Sequence, residues 1–130
     1  VTASEEQRSF ATVILAGGAT AADGERIAEL VQGARAAGAV AVVCAVPRGW
    51  RAPERARVVH VAPGASPSSA LRAGLAQLGN STARFVMLWP LAERTMPDVV
   101  VPRERWLELM TSEGDINDTV MRLGVPRSSL

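Results

Sequence analysis

Lysine is absent from this chain. All 14 basic side chains are arginine, set against 13 Asp and Glu for a net charge of +1. That balance gives no general pull toward nucleic acid or an anionic membrane surface, and neither is an expected partner. Cysteine occurs once, as Cys44 inside the apolar run 40–46. This excludes an intramolecular disulfide framework and marks a buried core thiol. Histidine also occurs once. His60 alternates within a short apolar stretch and has no Cys or His partner at ligand spacing, so no metal site is expected there. No apolar run approaches the roughly 20 residues that span a bilayer, and no secretory signal pattern opens the sequence. A cytoplasmic protein is expected. Internal repeats and low-complexity segments are missing as well.

At 130 residues, 48% of them hydrophobic, the chain reads as a single globular domain spanning 1–130. Residues 1–9 are polar and read as a loose arm. A strand over 11–16 runs into Gly17 and Gly18. Ile27, Leu30, Val31 and Ala34 then place one apolar face on a helix over 26–37, which Gly38 ends. The Val-rich run 39–46 reads as a strand covered on both faces. Strand, helix and strand with short connections form a βαβ unit with parallel strands. After a loop at 47–54 come a third strand over 57–62, a helix over 68–78 and a fourth strand over 84–89. Ala70, Leu71, Leu75 and Leu78 point inward from that helix, and Ser68 or Ser69 caps it. Pro90 stops the fourth strand. A short edge strand over 98–101, a helix over 102–110 that opens on proline, and a last helix over 115–123 complete the chain. The alternation predicts a three-layer α/β fold, with a mostly parallel sheet of four or five strands and helices on both faces.

Three segments carry a family resemblance. The first is Leu15-Ala16-Gly17-Gly18, followed by Asp23-Gly24-Glu25-Arg26-Ile27 and Ala34-Arg35-Ala36-Ala37-Gly38. The second is Ser68-Ser69-Ala70-Leu71-Arg72-Ala73-Gly74-Leu75, and the third is Glu108-Leu109 through Gly114-Asp115. In this order they resemble the guanylyl- and cytidylyltransferases of molybdenum-cofactor biosynthesis. The resemblance implies a nucleotide-binding transferase that joins CTP or GTP to a phosphorylated acceptor such as molybdopterin and releases pyrophosphate, with Mg²⁺ as cofactor. It assigns nucleotide contacts to Leu15, Ala16, Gly17, Gly18, Ser68, Ser69 and Arg72. The chain departs from the family where the chemistry belongs. The family's turn continues Ser-x-Arg-x-Gly-x-x-Lys, whereas this chain passes to Ala22-Asp23-Gly24. The family places a metal-binding Asp after the fourth strand, whereas this strand ends Leu88-Trp89-Pro90. An acceptor-binding insertion has no room between Pro97 and Pro102.

The same residues have plainer readings. Gly17 and Gly18 suit a tight strand exit that needs positive φ. Ser68 and Ser69 suit helix capping, and Arg72 a solvated helix face. Glu93 and Asp98 are the carboxylates near the end of the fourth strand where Mg²⁺ would sit. Glu113, Asp115 and Asp118 lack the Gly-spaced pattern of a calcium loop, and Asp115 reads as an N-cap. Trp50, Trp89 and Trp106 read as packing residues, with Trp89 placed to stack on a base. Two functional expectations follow: a nucleotidyltransferase, or a catalytically silent member of the same fold acting as a binding or scaffold subunit. Association with itself or with a larger protein is expected through residues 99–101 and Trp106, read as an uncovered sheet edge.

Overall fold

The structure, a computed structural model, describes residues 9–51 and 56–130. The expected arm therefore lies outside the described residues except for Ser9, as do positions 52–55 of the loop after the second strand. Ser9 is held in place, its carbonyl accepting from the Arg84 and Phe85 amides.

The elements follow the expected alternation. They run β1 (Phe10–Leu15), α1 (Gly24–Ala36), β2 (Ala41–Pro47), β3 (Arg57–Val61), α2 (Pro67–Gln77), β4 (Phe85–Pro90), β5 (Val99–Pro102), α3 (Trp106–Thr111), α4 (Ile116–Leu123) and β6 (Val125–Pro126). Short 3₁₀ turns at Ala21–Asp23 and Arg103–Arg105 lead into α1 and α3. The strands form one mixed sheet in the order β3-β2-β1-β4-β5-β6. It has six strands, where the sequence predicts four or five. The extra one is the two-residue β6, too short to carry an alternation signal. β1 pairs in parallel with both β2 and β4, and β5 and β6 are antiparallel additions on the β4 side.

Side chains alternate across β1 because successive Cβ atoms of a strand point to opposite faces. Ala11, Val13 and Leu15 join a core with α2, α3 and α4. Phe10, Ile14 and the following Ala16 join a second core with α1. All six residues of β1 are buried, as a strand covered on both faces requires. The helix faces match their predicted apolar positions: Ile27, Leu30, Val31 and Ala34 on α1, and Ala70, Leu71 and Leu75 on α2, with Leu78 just beyond it, are buried. Gly38 ends α1 with φ +100°. Its amide donates to the Arg35 carbonyl and the Ala39 amide donates to that of Ala34, the paired bonds of a Schellman cap.

Three expectations change. The cap of α2 is Ser66, not Ser68 or Ser69: its Oγ accepts from the Ser69 amide at 3.2 Å, with Pro67 in the first helical turn. The helix expected over 102–110 is a 3₁₀ turn followed by α3. The run 99–101 is not an uncovered edge. β6 pairs with β5 on its outer side, Val100 and Val101 are fully buried, and Trp106 is buried with its Nε1–H donating to the Val101 carbonyl at 2.9 Å. The outer strand on that side is therefore β6, and Val100, Val101 and Trp106 lie in the interior.

α2 approaches β1 at Gly74, where an added Cβ would lie 2.4 Å from Val13 Cγ1. Val13 is a fully buried, β-branched residue that cannot swing aside. Gly74→Ala is therefore expected to destabilise the protein by about 1–3 kcal/mol through overpacking, despite the better helix propensity of Ala. Urea unfolding measures it, and an unchanged or raised midpoint would contradict the close approach.

Cys44 is fully buried and loss of solvent pushes its thiol from 9.0 up to about 12. The folded state therefore keeps a proton that the unfolded state releases. Stability contributed by the neutral thiol is fully present below 9.0 and is lost as pH rises toward about 12. Chemical denaturation across that range should show the fall, and Cys44→Ala should flatten it.

Candidate functional site

The sheet order sets where a ligand fits. The connection from β1 to β2 moves outward on one side, while that from β3 to β4 returns across both to the other. Crossovers of one hand travelling in opposite directions lie on opposite faces, and α1 and α2 do so. Between the carboxyl ends of β1 and β4 the chain therefore parts, the crevice where open α/β sheets bind ligands. A cleft of about 420 Å³ lies there, within the range of small-molecule sites.

Four segments wall it. Leu15, Gly17 and Gly18 come from the exit of β1, and Ser66, Pro67 and Ser68 from the start of α2. Pro90 ends β4, and Gly114, Asp115, Ile116 and Asn117 open α4. The walls are tied together by backbone bonds. The Gly64 amide donates to the Gly17 carbonyl at 3.1 Å, and the Leu91 amide donates to the Leu15 carbonyl at 3.1 Å. Two helix N-termini meet at this cleft, each capped by a side chain. Ser66 caps α2, and Asp115 Oδ1 accepts from the Asn117 and Asp118 amides at 2.8 and 3.3 Å.

The two glycines of the turn have different reasons to be glycine. Neither has the positive φ of a tight exit, which occurs instead at Gly38, Gly49, Gly64 and Gly114. At Gly17 a Cβ would stand 3.1 Å from the Ala65 carbonyl oxygen, so the β1 exit packs directly on the approach to α2. At Gly18 a Cβ would meet nothing within 4 Å. Gly18 is exposed and leaves open backbone at the cleft.

Of the residues that the sequence nominates, Leu15, Gly17, Gly18 and Ser68 line the cleft together. Ala16 is buried in the α1-side core. Ser69 is engaged by Ser66, whose Oγ donates to its hydroxyl at 3.1 Å, and Arg72 is exposed outside the lining. Trp89 does not reach the site. It is buried on the α1 side, where a Cβ on Gly33 would touch its ring at 3.3 Å, and its Nε1–H donates to the Glu93 carbonyl. Glu93 and Asp98 line a neighbouring hollow of about 360 Å³ that shares only Pro90 and Asn117 with the cleft. Asp98 sits 3.9 Å from the Arg127 guanidinium. His60 is exposed, with Nδ1 3.4 Å from the Pro47 carbonyl oxygen. Among the described residues, no group of three or more His, Cys, Asp and Glu side chains gathers to hold a metal.

Sequence reasoning nominated four of the thirteen lining residues and missed the rest. Pro67 carried a usable signal, since proline in the first helical turn places the cap just before it and points to Ser66. Asn117 and Pro90 carried none, because only the folded topology brings them beside Gly18.

No protein-family model matches the chain, and no curated protein or solved structure matches it.

The contrast between the glycines is testable. Gly17→Ala is expected to cost about 1–3 kcal/mol, because the atom it meets is backbone held by the Gly64–Gly17 bond. Gly18→Ala should be neutral or slightly stabilising, since it restricts the unfolded chain and meets nothing. Equal losses in thermal unfolding would show that the two positions are constrained alike.

Proposed function

We propose that this chain is a nucleotide-binding domain of the nucleotidyltransferase type, taking CTP or GTP in the cleft between β1, β4, α2 and α4. One observation carries the reading. The Gly-rich exit of β1 and the first turn of α2, two segments through which the chain resembles the molybdenum-cofactor guanylyl- and cytidylyltransferases, face a single hollow at the point where the sheet reverses. Its polar groups suit a nucleoside: open backbone at Gly18, the hydroxyls of Ser66 and Ser68, and the Asn117 amide.

The reaction implied by the resemblance is attack of an acceptor phosphate oxygen on the α-phosphorus of the nucleotide. The bond to the β-phosphate breaks and pyrophosphate leaves, with molybdopterin as the acceptor in that family. A Mg²⁺ carried in by a triphosphate takes one or two protein carboxylates beside phosphate oxygens. Asp115 is the carboxylate of the lining and the residue that would hold it. A Mg²⁺ held by the Asp115 carboxylate would supply neutralisation of charge on the reacting phosphates.

A second reading, a silent binding or scaffold subunit of a larger assembly, is favoured by the absence, among the described residues, of any cationic side chain from the cleft lining. Removing one preorganised electrostatic donor from an active site costs about 10²–10³ in rate. Hydrogen bonds to charged groups contribute about 1.5–3 kcal/mol each, so binding by neutral donors is expected to be weaker than low-micromolar. Calorimetric titration with CTP and GTP, with and without Mg²⁺, measures it, and Gly18→Val should weaken it by screening the open backbone at the cleft with a branched side chain. Pyrophosphate release in the presence of molybdopterin, lowered by the same substitution, selects the transferase. Binding without release selects the silent subunit, and binding of neither nucleotide overturns both readings.

A further inference from the structure

Among the described residues the cleft lining carries no cation, but two arginines stand one strand away on the same edge of the sheet. β2 runs parallel to β1 and ends at Pro47, and the loop after it bears Arg48, Trp50 and Arg51. With Ala21 and Gly49 these residues line an open hollow of about 360 Å³. Arg48 and Arg51 are both exposed, and among the described residues neither has a hydrogen-bond or ion-pair partner. The other arginines with such partners are engaged in the fold. Arg103 donates to the Leu78, Ser81 and Ala83 carbonyls, Arg26 to that of Glu93, and Arg127 pairs with Asp98. Trp50 is half-buried beside the start of α1, where a Cβ on Gly24 would lie 3.8 Å from its ring. The nearest acid in sequence on α1's approach, Asp23, is turned back onto Thr20, accepting from its amide at 2.7 Å and its hydroxyl at 3.2 Å.

Ala21 of this hollow is three residues from Gly18 of the cleft, so the backbone joining the two linings spans at most about 11 Å. We infer that Arg48 and Arg51 are the polyphosphate-binding groups of this domain. A nucleotide whose nucleoside occupies the cleft carries its phosphates across the turn from Gly18 to Ala21 and onto the arginine pair. The inference rests on the nucleotide reading above and supplies the positive charge which that cleft lacks. Its chemistry is that of the guanidinium fork, which matches two phosphate oxygens at once. Two such groups three positions apart repel each other, and a phosphate chain between them removes that repulsion.

The test is calorimetric titration of the whole chain with CTP, GTP, cytidine and guanosine, repeated on an Arg48→Ala, Arg51→Ala double variant. Both side chains are exposed, so the variant should fold, and near-UV circular dichroism checks it. The triphosphates are expected to bind the unaltered protein about tenfold or more tightly than their nucleosides. The double variant should lose that advantage while its nucleoside affinity stays unchanged. Trp89 and Trp106 are buried, so emission from Trp50 should shift with the triphosphates and not with the nucleosides, and Trp50→Phe should remove the shift. A triphosphate advantage that survives in the double variant overturns the arginine assignment and leaves the nucleotide reading standing. If neither nucleosides nor triphosphates bind the unaltered protein, the nucleotide reading itself fails and the assignment falls with it.

Discussion

β1 is hydrogen-bonded in parallel on both sides and packed against helices on both faces, and the rest of the structure is organised by that burial. A strand with no solvent-exposed face must be all apolar or carry only small polar groups, and Phe10 to Leu15 meets this with Thr12 as its one hydroxyl. Because β2 and β4 take both of its edges, the chain has to leave it outward and later return past it. That return divides the helices between two faces and opens the crevice at its carboxyl end. Gly74 lets α2 lie close to Val13, and Gly17 lets the exit of β1 lie against Ala65. The cleft is thus a direct consequence of how tightly the central strand is enclosed.

The C-terminal third closes what would otherwise be a bare sheet edge. Gly124 carries the chain from α4 into β6, and a Cβ there would stand 2.3 Å from Val99 Cγ1 and 2.9 Å from the Val100 carbonyl oxygen. Only glycine allows that approach, and it is this approach that pairs β6 with β5 and sets α4 over the cleft. Arg103 secures the opposite end of β4 through the loop before it, with its guanidinium 4.6 Å from the centre of the Trp106 ring. In a chain without lysine, arginine thus also serves as a structural tie.

Much of the fold was legible because periodicity is local. Ile27, Leu30, Val31 and Ala34 announce α1, and the Val-rich run through Cys44 announces β2. The signals fail where the determinant is tertiary. Val125 and Pro126 have no pattern of their own and become a strand only against Val99 and Val100. Residues 99–101 read as an exposed edge because nothing in their neighbourhood reveals the strand that covers them. Trp89 reads first as a packing residue, which it is; the alternative of stacking on a base fails because alternation turns it to the α1 side. For the cleft, Leu15, Gly17, Gly18 and Ser68 were visible as motif, while Pro90 and Asn117 were not. Arg72 was nominated by the motif in which it stands and lies outside the lining, since the helix turns it to solvent.

Electrostatics decides what the cleft can hold unaided. Each helix N-terminus acts as roughly half a positive charge, so α2 and α4 together contribute about one unit. Asp115, in the lining and capping α4, returns a full negative charge to the same place. The two nearly cancel, and the cleft by itself favours a neutral polar group such as a nucleoside over a phosphate chain. A triphosphate therefore needs positive charge from outside the lining, either a divalent ion brought with it or side chains on an adjoining strand. The second source has a structural basis in the parallel pairing of β1 with β2, which sets the exits of both strands on the same edge of the sheet. On the proposed reading, charge and shape recognition fall to different strand exits: the switch-point crevice is shaped by close glycine contacts, and the described part of the loop after β2 holds Arg48 and Arg51 exposed to water.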